Sequence, residues 1–321
     1  MGKGSACGKA ILLGEHAVVY GQPAIAVPLA DLRAQAWIRD ALEPVIEAPD
    51  LGRVMGYESR QGDGDSRALW HMIEAAVDAC GGSLLDRPLR LTLRSDVPVA
   101  RGLGSGTAVA TATTRAVGDH MQIALSASEV SALVFESEVL LHGTPSGIDN
   151  TVVAWERPVW FVKGARPEVM ALEIALALVV GDTGVVSGTR EAVAAVRADR
   201  DENPRRMGRI IERIGDLACA GREAIATGDV GQLGTLMNHN HCLLREMGVS
   251  CPELDQLVMV AREAGALGSK LSGGGLGGCM IALVTPERRE GVMAALAATG
   301  AEHVYYTTVT GRLCRGEPVR C

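Results

Sequence analysis

Residues 97–108 read VPVARGLGSGTA and bring three glycines, a serine and a threonine together within six positions. The stretch before them, LRLTLRS at residues 89–95, alternates leucine with polar residues, as a half-buried strand does. The alanine-rich stretch after them predicts a helix over about residues 105–120. A glycine-rich turn between a strand and a helix favours phosphate, because backbone N–H groups and the helix dipole both attract an anion.

This loop lacks the Gly-Lys-Ser/Thr ending of the usual P-loop, so a cation for the phosphate has to come from elsewhere in the chain. Residues 8–21, GKAILLGEHAVVYG, offer Lys9 at the start of a short apolar strand and Glu15 and His16 at its end. We expect Lys9 to lend positive charge and the other two to hydrogen-bond a polar substrate. Taken alone, each segment also has a structural interpretation: a connection without a ligand, and a strand ending in a solvated turn.

Two carboxylates stand out in residues 136–150, ESEVLLHGTPSGIDN. Glu138 lies on a predicted helix that ends near Gly143, and Asp149 follows a Pro-Ser-Gly turn. Carboxylates on a helix and in a turn can converge on one point from different directions. Phosphoryl transfer uses such a pair, because one acid can hold Mg²⁺ while the other faces the attacking hydroxyl. The alternative is that both are surface charges, as most acidic residues are.

A second glycine-rich segment, KLSGGGLGGC, occupies residues 270–279 and precedes an apolar strand. Five glycines in ten residues weaken any regular element that contains them. A loop that lies against a ligand does need them, so this segment predicts a further part of a binding site.

The composition limits the possible functions. A chain of 321 residues with 47% hydrophobic residues is long enough for two domains. A net charge of −7 and 3% aromatic residues argue against nucleic acid as a partner. No apolar run reaches membrane-spanning length, and the eight cysteines show neither zinc spacing nor a C-x-x-C pair. We therefore expect a cytoplasmic enzyme that associates with no membrane, with reduced and mostly buried cysteines.

Strand and helix patterns alternate along the chain and indicate an α+β protein with two lobes, whose boundary falls near residues 165–175. Residues 151–162, TVVAWERPVWFV, predict a hairpin that turns at Glu156–Pro158. Three or four helices are expected between residues 187 and 265.

Residues 8–21, 97–108 and 270–279, in this order, resemble the three motifs of the GHMP kinases, a family that phosphorylates small alcohols with ATP. The similarity extends over nearly the whole chain, to about Val284. It implies the two-lobed GHMP-kinase fold, with an N-terminal lobe like domain 2 of ribosomal protein S5 and a ferredoxin-like C-terminal lobe. The ATP-binding domain would span residues 1–172, and the C-terminal domain residues 173–321.

The resemblance also implies roles for individual residues. Asp149 would face the acceptor hydroxyl, and Lys9 would lower the barrier beside it. Ser105 and Glu138 would bind Mg²⁺. The loop around the ATP phosphates would be Gly102, Leu103, Gly104, Ser105, Gly106 and Thr107. The acceptor would contact Lys9, Glu15, His16, Asp149, Thr183 and Gly274, with Thr189 as the alternative to Thr183.

Three further segments, HGTPSGIDN, GDTGVVSGTR and MNHNHCLLREMGVS, are similar to the family members that act on mevalonate. They imply transfer of the γ-phosphoryl group of ATP to the 5-hydroxyl of mevalonate, in a protein that forms a homodimer. The alternatives are a related kinase for phosphomevalonate or another hydroxy acid, and a nucleotide-binding sensor without catalysis. A dinucleotide-dependent enzyme is excluded, since no G-x-G-x-x-G opens a first βαβ unit.

The sequence departs from the family pattern at a few positions. Gly106 replaces a second serine, and Gly274 replaces a common alanine. Leu276 stands where glycine is usual, and leucine disfavours a positive φ. We therefore expect the last glycine loop to be shaped differently there, with Leu276 narrowing the acceptor pocket.

Overall fold

The structure is a computed structural model that describes residues 1–142 and 145–311; Gly143, the predicted helix end, lies outside the described residues. Two β-sheets with helices packed on them confirm the predicted α+β fold with two lobes. The first sheet ends at residue 169 and the second begins at residue 176. The division into domains at residue 172 stays a prediction.

The first sheet has seven strands, and its longest, β2, pairs with three neighbours. The strands are β1 Gly2–Leu13, β2 Ala24–Asp40, β3 Val45–Ala48, β4 Arg53–Gly56, β5 Leu89–Ser95, β6 Val159–Phe161 and β7 Glu168–Val169. The helices are α1 Gly64–Ala79, α2 Ser105–Met121, α3 Ala127–His142 and α4 Ile148–Trp155. Short 3-10 helices span Ala17–Tyr20, Pro49–Leu51 and Tyr57–Gln61. Pairing is antiparallel except between β3 and β5.

The second sheet has four antiparallel strands in the order β11-β8-β10-β9. These are β8 Leu176–Asp182, β9 Gly268–Leu271, β10 Cys279–Val284 and β11 His303–Val309. The helices are α5 Thr189–Glu202, α6 Pro204–Thr227, α7 Val230–Glu246, α8 Pro252–Glu263 and α9 Arg289–Ala298. With β8 counted first, the order 4-1-3-2 is the ferredoxin-like arrangement that the family resemblance implies.

The two faces of the second sheet belong to different cores. Leu178 and Val180 of β8 join the large core of the first lobe, whereas Ala177 and Val179 pack with α5, α6, α8 and α9. This split follows from the period-two alternation of a strand, which sends neighbouring side chains to opposite faces. The two lobes therefore share one continuous apolar layer.

Strand β1 lies very close to helix α2, and this approach depends on glycine. A Cβ atom at Gly4 would lie 2.0 Å from the carbonyl oxygen of Ala112, and one at Gly2 would lie 2.3 Å from that of Ala116. The contact matters because β1 carries Lys9 and α2 begins at Ser105, within the first glycine loop.

The hairpin predicted at Glu156–Pro158 is wrong. Residues 148–155 form α4, and only 159–161 form a strand. The β-branched run suggested a strand, but packing overrides that preference, because Val152, Val153 and Ala154 are buried in the first core.

The cysteines are less buried than predicted. The six in the described ranges are free: Cys7 and Cys279 are buried, but Cys219 and Cys242 are exposed. Among the described residues, no helix combines the length and apolar character that crossing a membrane requires.

The Gly4→Ala variant is expected to lose about 1–3 kcal/mol of unfolding free energy, because its methyl group must displace the backbone of α2. Urea unfolding measures this. The control is Gly291→Ala in α9, where a Cβ atom meets nothing within 4 Å and the higher helix propensity should add up to about 1 kcal/mol. Equal stability of the two variants would contradict the close-packed interface.

Candidate active site

A cavity of about 560 Å³ lies where the two lobes meet. Both lobes supply its lining, including Lys9, Glu15, His16, Gly102, Gly104, Ser105, Gly106, Thr107, Glu138, Asp149, Thr189, Arg190 and Gly274. Most residues proposed from the sequence therefore share one cavity. Leu103 and Thr183 are outside this lining.

Lys9 and Asp149 form an ion pair inside the cavity. The Lys9 Nζ atom lies 3.0 Å from Asp149 Oδ2, and the two side chains are 4% and 31% exposed. The aliphatic stem of Lys9 packs on Gly104, where a Cβ atom would lie 2.9 Å from Lys9 Cγ. The lysine that the first glycine loop lacks thus reaches it from β1. Its charge is stabilised by the carboxylate, because burial of an unpaired ammonium group is costly.

The first glycine loop leads directly into the start of α2. Gly102 and Gly104 have φ values of 80° and 74°, which glycine adopts without strain. Helix α2 is 17 residues long and has no acidic residue in its first turn. Its first N–H groups lack partners within the helix, and its dipole is positive at this end. These features make the loop a favourable site for an anion.

The loop residue Leu103 has a different environment from its neighbours. Its side chain is fully buried in the first core, and its carbonyl oxygen accepts a hydrogen bond from the backbone N–H of Lys9 at 2.9 Å. Leu103 therefore anchors the loop to β1 and offers no side chain to a ligand.

Glu138 is buried beside this loop and accepts a hydrogen bond from the Thr107 hydroxyl. Burial, and secondarily the negative charge of Asp149, raise the pKa of Glu138 to about 8. With that pKa the Glu138 carboxyl is mostly protonated near pH 7, and a cation bound beside it would favour its charged form. The described ranges contain no group of three or more His, Cys, Asp or Glu side chains that could enclose a metal. Mg²⁺ suits such a sparse site, since it commonly uses one or two carboxylates plus substrate phosphates.

Glu15 borders the cavity, but protein groups already occupy its carboxylate oxygens. The ammonium group of Lys270 donates to Oε1, and the Asn240 amide donates to Oε2 at 3.0 Å. Lys270 is fully buried and also donates to the carbonyl oxygens of Ile11 and Leu271. Burial raises the pKa of Glu15 and lowers that of Lys270, whereas their mutual attraction opposes both shifts. Glu15 therefore joins the lobes beneath the cavity.

Helix α7 carries polar residues that the sequence reasoning left without a role. Asn238 accepts a hydrogen bond from the backbone N–H of Ser269, and His241 accepts one from that of Leu271. These bonds pair two backbone N–H groups of β9, the edge strand of its sheet, which would otherwise lack partners. The cluster of Asn and His residues in MNHNH, residues 237–241, was the sequence signal that could have indicated this role.

His16 and Thr189 both lie next to Gly274. The His16 Nε2 atom is 2.9 Å from the Gly274 carbonyl oxygen, and burial lowers the pKa of His16 to about 4. The ring is therefore neutral near pH 7, with Nε2–H as the donor. A Cβ atom at Gly274 would lie 2.6 Å from Thr189 Oγ1, so this glycine makes room for the threonine.

Thr183 does not reach the cavity, and its hydroxyl group donates to the Gly278 carbonyl oxygen at 2.7 Å. Thr189, the alternative named from the sequence, occupies the lining. The Thr183 hydroxyl group instead stabilises the second glycine-rich segment, residues 270–279.

Leu276 differs from the expectation in two ways. It adopts the left-handed conformation with a φ of 55°, so the loop keeps the shape that a glycine would give it. Its side chain packs against the second core and is absent from the cavity lining. A hydrogen bond from its backbone N–H to Val249 O, at 2.9 Å, helps to hold this unfavourable conformation.

Comparison with known proteins places this geometry in context. The model of the GHMP kinase N-terminal domain matches residues 67–156, and that of the C-terminal domain matches residues 222–302. The mevalonate kinase of Thermococcus sibiricus is 38% identical, with 92% of each chain covered. That of Pyrococcus abyssi is 36% identical, with 98% of each covered. A crystal structure of L. major mevalonate kinase with R-mevalonate superposes with a TM-score of 0.83 at 29% identity, covering 97% of this chain and 96% of that one.

The neutral state of His16 predicts a pH dependence of stability. The pKa of about 4 lies below the ordinary 6.5, so the unfolded chain binds more protons between these values. Unfolding free energy should therefore fall by about 3 kcal/mol from this group as pH drops from about 6.5 to 4. His16 has a φ of 59°, which asparagine tolerates, so His16→Asn removes the titrating imidazole without changing the backbone. Urea unfolding across that pH range should therefore show a smaller slope of unfolding free energy against pH for His16→Asn than for the wild-type protein. Removal of the exposed imidazole in His71→Asn should leave the slope unchanged. Identical slopes for the wild-type protein and His16→Asn would refute the assignment.

The Lys270→Met variant should lose about 3–5 kcal/mol of unfolding free energy, because Glu15 would become a buried unpaired charge. Adding Glu15→Gln should restore part of this loss. Chemical denaturation of the single and double variants measures the coupling. Arg87→Met removes an exposed pair with Asp40 and should cost at most about 1 kcal/mol. Simple additivity of the Lys270 and Glu15 substitutions would contradict a coupled pair.

Proposed function

The chain belongs to the GHMP kinase family, and we propose that it is an ATP-dependent mevalonate kinase within it. The reaction transfers the γ-phosphoryl group of ATP to the 5-hydroxyl of mevalonate, giving 5-phosphomevalonate and ADP. The observation that supports this chemistry most directly is the Lys9–Asp149 pair, which lines the same cavity as the first glycine loop. A phosphoryl donor and an alcohol would meet at this pair.

We place the triphosphate of ATP along the first glycine loop. Backbone N–H groups of residues 102–107 and the start of α2 would bind its oxygens. The base would extend to the end of the cavity that Ala48, Leu51, Met55, Leu69 and Met72 line. These side chains offer the apolar surface that a purine ring packs against.

Mevalonate would occupy the opposite end of the cavity, near His16, Thr189 and Gly274. Arg190 also lines this end and supplies a positive charge for the carboxylate of the acceptor. Of the other arginines in the lining, Arg53 lies between Leu51 and Met55 in sequence. Arg94 precedes Ser95, whose backbone N–H donates to Asp50 beside Leu51. Mevalonate carries one carboxylate, whose charge a single arginine can neutralise. Phosphomevalonate carries a phosphate in addition, which would call for more positive charge than one arginine supplies.

The transfer is direct and in line. The 5-hydroxyl oxygen attacks the γ-phosphorus, the bond to the β–γ bridging oxygen breaks, and ADP leaves with that oxygen. Asp149 orients the hydroxyl and accepts its proton. Lys9 attracts negative charge that develops on the transferred group and holds Asp149 in position.

Ser105 and Glu138 are the side chains that would hold Mg²⁺ beside the phosphates. An ion held there would neutralise negative charge on the phosphates. The buried carboxylate of Glu138, with its raised pKa, fits this role because a cation would stabilise its charged form. Thr107 keeps that carboxylate oriented through its hydroxyl.

The Asp149→Asn variant should lose about 10²–10⁴-fold in kcat, because the amide cannot accept the hydroxyl proton. ATP and mevalonate turnover in a coupled ADP assay measures this. Asp216→Asn, which changes an exposed carboxylate on α6, is the control and should keep wild-type turnover. If Asp149→Asn turned over within a few-fold of the wild-type protein, Asp149 would not be the base.

The Glu138→Gln variant should need at least about tenfold more Mg²⁺ for half-maximal activity, since a neutral amide is a weaker ligand. Titration of the rate with Mg²⁺ at saturating ATP measures this. Glu136→Gln, two positions earlier on an exposed site of α3, should leave the titration unchanged. An unchanged Mg²⁺ requirement in Glu138→Gln would remove Glu138 from the metal site.

A further inference from the structure

Arg101 stands at the entrance of the first glycine loop, yet its side chain points to the other lobe. Its Nε atom lies 3.2 Å from Asp182 Oδ2, and its Nη2 atom lies 2.9 Å from Glu302 Oε2. Asp182 is the last residue of β8, and Glu302 immediately precedes β11. Arg101 is therefore a connection between the loop and the second sheet.

This connection is well shielded from water on the Asp182 side. The side chains of Arg101 and Asp182 are 14% and 2% exposed, whereas Glu302 is 48% exposed. The second oxygen of Asp182 accepts a hydrogen bond from the backbone N–H of Gly184 at 2.9 Å. Removal of either partner would leave the other as a buried unpaired charge, which is costly. The Arg101–Asp182 contact is therefore strongly favoured over separated side chains. The Glu302 contact is exposed and contributes less.

Backbone contacts strengthen the same connection. The Arg101 carbonyl oxygen accepts a hydrogen bond from the N–H of Cys279 at 3.1 Å, and Ala100 O accepts one from Ser187 at 2.9 Å. Ala100 has a φ of 56°, which a residue with a Cβ atom adopts only when its surroundings enforce it. The second lobe thus determines the conformation in which the loop begins.

Arg101 does not reach the cavity in which we propose that phosphoryl transfer occurs. Its neighbours Ala100 and Gly102 line the cavity, whereas Arg101 does not. Any effect of Arg101 on catalysis must therefore act through the loop backbone that follows it. Because that backbone supplies the N–H groups for phosphate, small displacements would weaken nucleotide binding more than acceptor binding.

We propose that Arg101 is a positioning residue for the ATP phosphates, acting through its ion pair with Asp182. The pair fixes the phosphate-binding loop of the first lobe to the sheet of the second. This inference rests on the proposed function for its ligand, because it assigns the first glycine loop to ATP.

The test measures ATP·Mg²⁺ affinity by calorimetry in the absence of acceptor, together with KM for ATP, KM for mevalonate and thermal stability. Arg101→Ala should weaken ATP binding and raise its KM by about tenfold, with KM for mevalonate changed by less than about twofold. Arg101→Lys should recover part of the affinity, because an ammonium group can still pair with Asp182. Asp182→Asn, which preserves side-chain shape, should reproduce the loss even if Arg101→Ala folds poorly.

Two comparisons decide between positioning and simple stabilisation. The double variant Arg101→Ala/Asp182→Asn should bind ATP about as weakly as either single variant if the pair acts as a unit. Arg289→Ala, which removes an exposed pair with Glu290 in the same lobe, should leave ATP affinity unchanged. Lower thermal stability with wild-type ATP affinity in Arg101→Ala and Asp182→Asn would overturn the proposal. A wild-type protein that binds ATP but does not phosphorylate mevalonate would contradict the proposed function and leave this test valid.

Discussion

The burial of Lys9 beside Asp149 is the constraint on which the rest of the site depends. A lysine whose side chain is 4% exposed needs a counter-charge, and the acidic residue must come from a different element. Strand β1 has to approach α2 closely, which glycine at position 4 permits. Gly104 has to lack a Cβ atom so that the lysine stem can pass. Helix α4 has to begin at residue 148, which places Asp149 in its first turn, where the helix dipole favours a carboxylate.

The two lobes contribute unequally to this arrangement. The first lobe supplies Lys9, Glu138, Asp149 and the first glycine loop. Contacts from the second lobe keep these elements in their relative positions. Buried polar contacts between the lobes contribute to this, including Lys270 with Glu15 beneath the cavity, His16 with the Gly274 carbonyl oxygen, and Arg101 with Asp182. Such contacts are directional, so they fix relative positions more sharply than the shared apolar layer does.

Much of the cavity lining was predictable, because the residues that we propose to carry the chemistry lie in short, unusual segments. Glycine density, the alternating strand before the loop and the paired carboxylates each had a physical reason. The differences between expectation and structure at Thr183, at Leu276 and in the predicted hairpin share one cause, because all three depend on packing partners far away in sequence. Lys270 was missed for the same reason: its partner Glu15 is 255 positions distant. Local pattern cannot reveal such pairs, and β-branched residues in α4 mislead when burial decides the structure.

The measurement that tests the central claim most directly is phosphate transfer from ATP·Mg²⁺ to a panel of acceptors. Mevalonate, 5-phosphomevalonate, homoserine and galactose would be compared, and the phosphorylated position identified by NMR. We expect robust formation of 5-phosphomevalonate from mevalonate and no comparable transfer to the others. Preferred transfer to another acceptor would contradict the assigned substrate. Tight ATP binding without transfer to any acceptor would contradict catalysis at the Lys9–Asp149 pair.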